Sequence, residues 1–420
     1  MSPLPSSAAG TAFVSPVSNS AERQPRLTVV ESPIQRVDFL DQWRGLAVLV
    51  VFVYHALGIS FRHYQPGWIL GNWFRDFNLP KSYLALLPIT WGWAGVSIFF
   101  VISGFCIHLS FRQKSDWAIF FSNRFFRIYP PYFVALVFFA FFFPITRLTL
   151  GSTGSAGQFA SHVLLLHNLA GSFFDGINPS FWTIAVEAQL YLLFPVFLVL
   201  MNRIGWRRGL ITVAAIEFTL RAAQGFVFAY TGKCPPQWLT STPFAYWFGW
   251  GIGAALAEAH IKAQPVPFLG SSTLKWFALA AFCTFIGPLS FLSFPLFSVA
   301  TASAIAKGLS GNGGAAMRLP SSFQQHLRWA GLWSYSIYLL HQPFLLAVPG
   351  LTHHLFTRVH PLGTFALCLA FWVPMVVFAG LYFRFCEKPS IRLGKTLPSL
   401  GQPVFEWRLR PVRSDFSSSA

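Results

Sequence analysis

The amino-acid sequence predicts an all-α protein, a polytopic membrane bundle of about ten transmembrane helices. Of the 420 residues, 54% are hydrophobic and only 10% are charged, a composition too apolar for the surface of a water-soluble protein of this length. Apolar runs of membrane-spanning length recur between residues 39 and 386. Basic residues cluster in alternate connections between these runs, as expected for a chain that crosses a bilayer repeatedly.

Ten apolar segments are long enough to be spans, and turn or breaker residues separate them. A short Ser- and Pro-containing turn divides the seventh from the eighth, and a further apolar segment at 158–170 is too short to cross. The predicted spans are 39–58, 91–110, 130–149, 179–201, 209–230, 241–260, 272–289, 292–309, 332–350 and 362–385.

The distribution of lysine and arginine orients this bundle. If the N-terminus lies in the cytoplasm, most of the 30 basic side chains fall in cytoplasmic segments. The basic residues assigned to outer segments are few: Arg62, Arg75, Lys81, Arg147, Lys233 and Arg358. This asymmetry predicts that both termini are cytoplasmic, and it accounts for the net charge of +17 without a nucleic-acid partner.

Residues 1–37 are polar, rich in Ser, Pro and Arg, and lack the basic-then-apolar pattern of a cleavable signal. They are predicted to be a disordered cytoplasmic tail. A transmembrane domain over 38–395 and a second cytoplasmic tail over 396–420 follow. The 5 cysteines show neither CxxC spacing nor Cys/His ligand spacing, so neither a metal site nor a disulfide framework is expected.

The first span carries the ionisable residues Asp41, Arg44 and His55. Arg44 and His55 are close to three helical turns apart, so both project from one face, about 16 Å apart along the axis. Charged side chains inside a bilayer are costly, and they commonly mark a functional pathway. Two alternatives stay open: an arginine near the surface snorkels to the headgroups, and a histidine near a helix end lies at the interface.

Glu187 lies near the start of the fourth span, which runs from outside to inside, so it is predicted to fall in the outer half of the bilayer with His55. A carboxylate there needs a partner, and pairing with His55 would fix the tautomer of the imidazole and stabilise its charged form. Glu217 and Arg221, spaced i, i+4 on the fifth span, are interpreted instead as a structural pair.

Arg124 and Arg127 precede Pro130 and Pro131, which are expected to set the start of the third span. The planar fork of a guanidinium group fits phosphate, so the two arginines are candidates for binding a phosphorylated ligand. The alternative is the ordinary basic flank on the cytoplasmic side of a membrane helix.

Small and polar residues mark faces of three spans. Ser103 lies in a run of small residues on the second span, and Tyr338 and His341 share a face of the ninth. Together with Asp41 they are candidates for lining a polar cavity. Close helix packing and interhelical hydrogen bonds are the alternative explanation.

Five blocks, taken in order, point to a family. They are Asp41-x-x-Arg44-Gly45 with His55 ten positions after Gly45; Phe99-Phe100-Val-Ile-Ser103-Gly104-Phe105; Arg124-x-x-Arg127-Ile128-Tyr129-Pro130; Trp182-x-x-x-x-Glu187 with Tyr191; and Ser334-Tyr335-Ser336-Ile-Tyr338-Leu-Leu-His341 followed by Glu387-Lys388-Pro389. Over roughly residues 36–395 the chain resembles the acyltransferase-3 family of integral-membrane acyltransferases, which includes bacterial O-acetylases of surface polysaccharides.

The resemblance implies a ten-span core in the plasma (inner) membrane, with acyl-CoA as co-substrate and no permanently bound cofactor. It implies an essential histidine at His55 and functional roles for Arg44, Arg124 and Arg127, which are expected to face CoA. The chain departs from the family pattern at Ser97, where many relatives have Asp. Some relatives also append a soluble hydrolase-like domain, whereas fewer than thirty residues follow Arg392 in this sequence. This protein is therefore expected to act alone or with a separate partner protein.

The expected function is therefore a membrane O-acyltransferase, an enzyme that transfers groups other than aminoacyl groups. It would move an acyl group, with acetyl as the expected one, from acyl-CoA to a hydroxyl of a carbohydrate or glycolipid at the outer face. His55 would act as general base and Glu187 would support the imidazolium, by direct transfer or through an acyl-histidine intermediate.

Two other functions stay open at this point. A lipid or polysaccharide transporter or flippase would also place charges along its pathway, although no repeat relates the two halves of the chain. A non-catalytic membrane scaffold would tolerate substitution of His55.

Overall fold

The computed structural model describes residues 39–61, 81–149, 151–233, 235–264, 272–309, 320–355 and 360–396. These ranges are predominantly helical and contain no strand, which confirms the predicted all-α class. The tails predicted over 1–37 and beyond 396 lie outside the described residues.

The helices are numbered in chain order, and a 3₁₀ segment, Lys81–Ala94, leads into the second. The first half of the chain contains α1 (Phe39–Ser60), α2 (Gly95–Lys114), α3 (Trp117–Val137), α4 (Thr153–Val163), α5 (Phe181–Ile204) and α6 (Trp206–Thr231). The second half contains α7 (Trp247–Ile261), α8 (Thr273–Thr284), α9 (Ser293–Leu309), α10 (Ser321–Leu332), α11 (Ser334–Leu355), α12 (Pro361–Ala370), α13 (Trp372–Tyr382) and α14 (Lys388–Thr396).

Among the described residues, 7 helical segments are long and apolar enough to cross a membrane. They are Phe39–Ser60, Ala85–Lys114, Trp117–Phe142, Phe181–Ile204, Trp206–Thr231, Leu289–Leu309 and Pro361–Thr396. The other three predicted spans are also helical: α7 has 15 residues, α8 has 12, and α11 has 22 with two internal prolines. The chain is therefore a polytopic helical membrane bundle, as predicted.

The third span begins earlier than the sequence indicated. The expectation that Pro130–Pro131 sets its start is wrong, because α3 begins at Trp117 and contains both prolines. Asp116 is the N-cap, and its carboxylate accepts the backbone N–H of Ile119 at 2.9 Å.

A side chain from the last helix explains why the prolines do not end α3. Pro130 has no N–H for the carbonyl of Phe126, one turn earlier. That carbonyl accepts a hydrogen bond from the hydroxyl of Ser390 instead. Since the carbonyl has a partner, the helix continues through the prolines, and Arg124 and Arg127 are held within a regular helix.

Close backbone contacts at glycine residues hold α1 and α2, two of the helices that build the site, against neighbouring helices. A Cβ atom on Gly104 of α2 or on Gly253 of α7 would lie 1.9 Å from a carbonyl oxygen of the opposite helix. Helices α1 and α10 meet in the same way, at Gly45 (1.9 Å) and Gly331 (1.7 Å). Glycine is required at these crossings because any side chain would force the backbones apart.

We expect Gly104→Ala to lower the thermal stability of the purified protein. The added methyl group overlaps a backbone carbonyl that cannot rotate away, and overpacking of this kind costs about 1–3 kcal/mol or more. The matched control is Gly350→Ala on α11, where nothing lies within 4 Å of the new methyl group. Thermal unfolding of both variants in detergent checks the expectation, and equal stabilities would contradict it.

Candidate active site

A cavity of about 100 Å³ lies between α1, α2, α3, α5 and α11. Each of these five helices contributes polar side chains to its wall. They are Arg44 from α1, Ser103 and Cys106 from α2, Arg124 and Arg127 from α3, Thr183, Glu187 and Tyr191 from α5, and Ser334, Tyr335 and Tyr338 from α11. Six of the predicted site residues therefore line one cavity, although they come from distant parts of the sequence.

The guanidinium group of Arg44 is held on two sides. Its Nη1 lies 3.2 Å from Oδ1 of Asp41, one turn earlier on α1. Its Nη2 lies 3.2 Å from the sulfur of Cys106 on α2. Asp41 thus contacts Arg44 and does not line the cavity wall itself. Cys106, which was not among the predicted site residues, lines the wall.

Arg124 has one donor without a partner. Its Nη2 donates to the hydroxyl of Ser110 at 3.1 Å, and its guanidinium carbon lies 5.9 Å from the ring centroid of Phe120. Its Nε is buried and has no hydrogen-bond partner among the described residues. A buried N–H without an acceptor is costly, so this donor suits an anionic ligand that enters the cavity.

Glu187 lies in the same cavity as the arginines. Its Oε1 accepts hydrogen bonds from the hydroxyl of Ser103 at 2.8 Å and from that of Tyr191 at 2.5 Å. Both donors reach one oxygen, which leaves Oε2 for a group in the cavity. The partners of Glu187 in the structure are therefore Ser103 and Tyr191, whereas the sequence predicted His55.

The charges around the cavity come close to balance. The three arginines of the wall interact electrostatically with the carboxylates of Asp41, Glu187 and Glu387. Glu387 is buried at 1% exposure and accepts a hydrogen bond from the hydroxyl of Ser336 at 2.6 Å. This compensation makes it physically feasible to hold three guanidinium groups in a membrane helix bundle.

His55 packs beside His341 on α11. Their ring centroids are 5.2 Å apart, and the ring of His341 lies 5.3 Å from that of Tyr338. Tyr338 lines the cavity, whereas His341, predicted to line it, and His55 do not form part of its wall. The three rings therefore connect His55 to the cavity through Tyr338. The hydroxyl of Tyr338 is 2.9 Å from that of Thr183 on α5.

The pair on α6 is an ion pair, as interpreted from the sequence. Arg221 Nη2 lies 3.6 Å from Glu217 Oε1, and it also donates to the carbonyl of Ala245 at 2.6 Å. Glu217 in turn accepts the backbone N–H of Phe248 at 2.9 Å. These contacts tie α6 to the start of α7, away from the cavity wall.

Sequence reasoning missed a second buried carboxylate. Glu258 on α7 lies 2.7 Å from His108 Nε2, 3.1 Å from Lys262 Nζ and 3.6 Å from Arg112 Nε. The i, i+4 spacing of Glu258 and Lys262 was the available signal. This cluster joins the ends of α2 and α7, and none of its members lines the cavity.

Two further histidines stack in the connection between α3 and α5, outside the candidate spans. The rings of His162 and His167 are 3.9 Å apart and nearly parallel at 7°. Both are buried at 0% exposure. Nδ1 of His162 donates to the carbonyl of Gln158 at 2.8 Å. Burial lowers the pKa of His162 to about 4, so its ring is neutral at pH 7.

We therefore expect the folded protein to lose stability as the pH falls from about 6.5 towards 4. The pKa of His162 is lower in the folded state than in an unfolded chain, so its contribution is complete above the unfolded pKa and is lost below it. The shift corresponds to about 3 kcal/mol. Thermal unfolding in detergent across this pH range tests the expectation. His162→Asn, which keeps a donor for Gln158, should flatten the pH dependence, and His260→Asn at an exposed position should leave it unchanged.

Comparison with known proteins identifies the class. A model of the acyltransferase domain matches residues 37–379. Nodulation protein 10 of Rhizobium leguminosarum is 24% identical over 72% of this chain and 83% of its own. A peptidoglycan O-acetyltransferase of Listeria monocytogenes is 25% identical over 90% of this chain and 60% of its own, and an acyltransferase of Streptomyces mycarofaciens is 27% identical over 88% and 96%. No solved structure matches the chain significantly.

The helical membrane bundle and the domain match together define an integral-membrane acyltransferase. The match covers most of the chain, so the protein belongs to the acyltransferase-3 family, as its sequence blocks predicted. It spans about three fifths of the length of the peptidoglycan O-acetyltransferase.

Proposed function

We propose that the protein transfers an acyl group from acyl-CoA to a hydroxyl of a carbohydrate or glycolipid at the outer face of the plasma membrane. The observation that carries the proposal is a single cavity in which three arginines from two helices meet the carboxylate of Glu187, with His55 connected to it through Tyr338 and His341.

The arginines support a phosphorylated donor. Arg44, Arg124 and Arg127 bind the phosphates of CoA at the cytoplasmic side, and the unpartnered Nε of Arg124 donates to one of them. The pantetheine arm then enters the bundle and carries the thioester towards His55. The phosphates of CoA remain on the cytoplasmic side throughout.

His55 is the proposed general base. It takes the proton of the acceptor hydroxyl, the hydroxyl oxygen attacks the thioester carbonyl, and CoA leaves as the thiol after regaining that proton. A two-step route through an acyl-histidine uses the same residue as nucleophile. Glu187 accepts hydrogen bonds from Ser103 and Tyr191, which stabilise the cavity, and its charge offsets that of the arginines before the donor binds.

The acceptor class rests on the relatives. One of them is named as a peptidoglycan O-acetyltransferase, and its similarity covers 90% of this chain. A glycan hydroxyl is thus the acceptor that the similarity favours. A transporter or flippase lacks any comparable support from the family assignment.

Acyl-CoA turnover by the detergent-purified protein tests the proposal. We expect release of CoA thiol from acetyl-CoA, accelerated by a soluble glycan fragment and absent in His55→Ala. Protein that binds glycan or lipid but releases no thiol, with or without acceptor, would favour the transporter instead.

A further inference from the structure

The two histidines beside the cavity are close enough to share a proton. The ring centroids of His55 and His341 are 5.2 Å apart with an interplanar angle of 47°. Each ring nitrogen lies about 1.1 Å from its centroid, so a nitrogen–nitrogen distance of about 3 Å, short enough for a hydrogen bond, is reached when one nitrogen of each ring points towards the other ring. His341 is buried at 0% exposure, so water does not compete at its ring.

The tautomer of His341 follows from its hydrogen bonds. Its Nδ1 lies 2.9 Å from the backbone carbonyl of Tyr338. A carbonyl can only accept, so Nδ1 carries the hydrogen and Nε2 of the neutral ring carries the lone pair.

The nearest hydroxyl does not occupy that lone pair. Ser180 Oγ is 3.5 Å from Nε2 of His341, but it donates its hydrogen to Oε1 of Gln342 at 2.5 Å. A hydroxyl has one hydrogen to give, so Nε2 of His341 retains its capacity to accept a proton.

We propose that His341 is a proton-relay residue that acts through His55. When one nitrogen of His55 takes the hydrogen of the acceptor hydroxyl, the N–H on the other nitrogen donates to Nε2 of His341. The positive charge is then shared between two imidazoles. The thioester C–S bond breaks, the ester C–O bond forms, and the proton returns through His55 to the sulfur of CoA, so His341 ends unchanged.

A relay of this kind lowers the cost of forming a positive charge on His55. The hydrogen bonds of Glu187 come from Ser103 and Tyr191 and none comes from His55, so this carboxylate does not pair with an imidazolium at His55 in the structure. The groups around His341, which are Tyr338, Ser180 and Gln342, are neutral. Spreading one charge over two rings lowers the cost of forming it in these surroundings.

The test is His341→Asn, whose side-chain amide keeps the donor to the Tyr338 carbonyl but has no basic nitrogen. We expect kcat to fall by about tenfold or more with little change in KM for either substrate. The proton inventory of kcat in mixed light and heavy water should be curved in the wild type and linear in the variant. A structural role for His341 would not alter the number of protons in flight.

The controls keep this inference separate from the proposed function on which it rests. If His55→Ala remains active, the proposed function fails. If His55→Ala is inactive while His341→Asn keeps the wild-type kcat and a curved inventory, only the relay is overturned. If the Asn variant is not monodisperse, the same two measurements are made on His341→Gln, whose side chain is nearly as long as that of histidine. The same outcomes then support or overturn the relay.

Discussion

Replacing His55 with alanine is expected to abolish acyl transfer while the protein still inserts and folds. General base catalysis contributes typically about 10²- to 10⁴-fold to a rate, and the step here is removal of a proton from an unactivated hydroxyl. The ring lies beside His341 and next to the cavity, whose wall contains no histidine among the described residues. Transfer of radiolabelled acetyl groups from acetyl-CoA to a glycan acceptor measures the loss.

The matched control is His260→Ala, which removes an exposed histidine at the end of α7. Both variants should elute as single species on size-exclusion chromatography. If His55→Ala keeps a rate within about twofold of the wild type, the residue is not the base and its proximity to His341 is structural.

Removing one cavity arginine is expected to weaken donor binding selectively. Arg127→Gln should raise KM for acyl-CoA by about 10- to 100-fold, since a charge-assisted hydrogen bond contributes about 1.5–3 kcal/mol, and KM for the acceptor should change far less. Arg44→Gln and Arg124→Gln should act in the same direction. Lysine at these positions should rescue only part of the affinity because it lacks the guanidinium fork.

Arg208→Gln provides the control, because this exposed arginine belongs to the basic flank of α6 and lies outside the cavity wall. If the cavity arginines serve only to orient the chain in the membrane, lysine restores them fully, and glutamine disturbs insertion without changing KM. Initial rates over a range of acyl-CoA concentrations, measured on correctly inserted protein, distinguish the two outcomes.

Hydropathy and charge distribution were sufficient to predict the helical bundle. They were less able to place helix ends. Pro130 and Pro131 carry a strong local signal for a helix start, and a single-sequence argument has no access to Ser390, which supplies the hydrogen bond that lets α3 continue. The error is therefore one of tertiary context overriding a local preference.

The candidate site shows the same limit. The predicted spans placed Arg44 near the cytoplasmic surface and Glu187 in the outer half of the bilayer, yet both line one cavity in the packed bundle. The sequence identified Tyr338 and His341 from their shared helical face, but the pairing of His341 with His55 depends on how α1 and α11 pack. The roles of these residues in catalysis stay predictions.

The hydrogen bond from Ser390 to Phe126 also bears on the order in which the protein matures. It links positions 264 residues apart, and a second bond, from the Tyr382 hydroxyl to the Pro131 carbonyl at 2.5 Å, links positions 251 apart. A ribosome delivers the chain from its N-terminus, so α3 enters the membrane long before its supporting partners exist. Arg124 and Arg127 therefore acquire their final setting only when the last helices dock, and the part of the cavity wall that they form is not fixed before then.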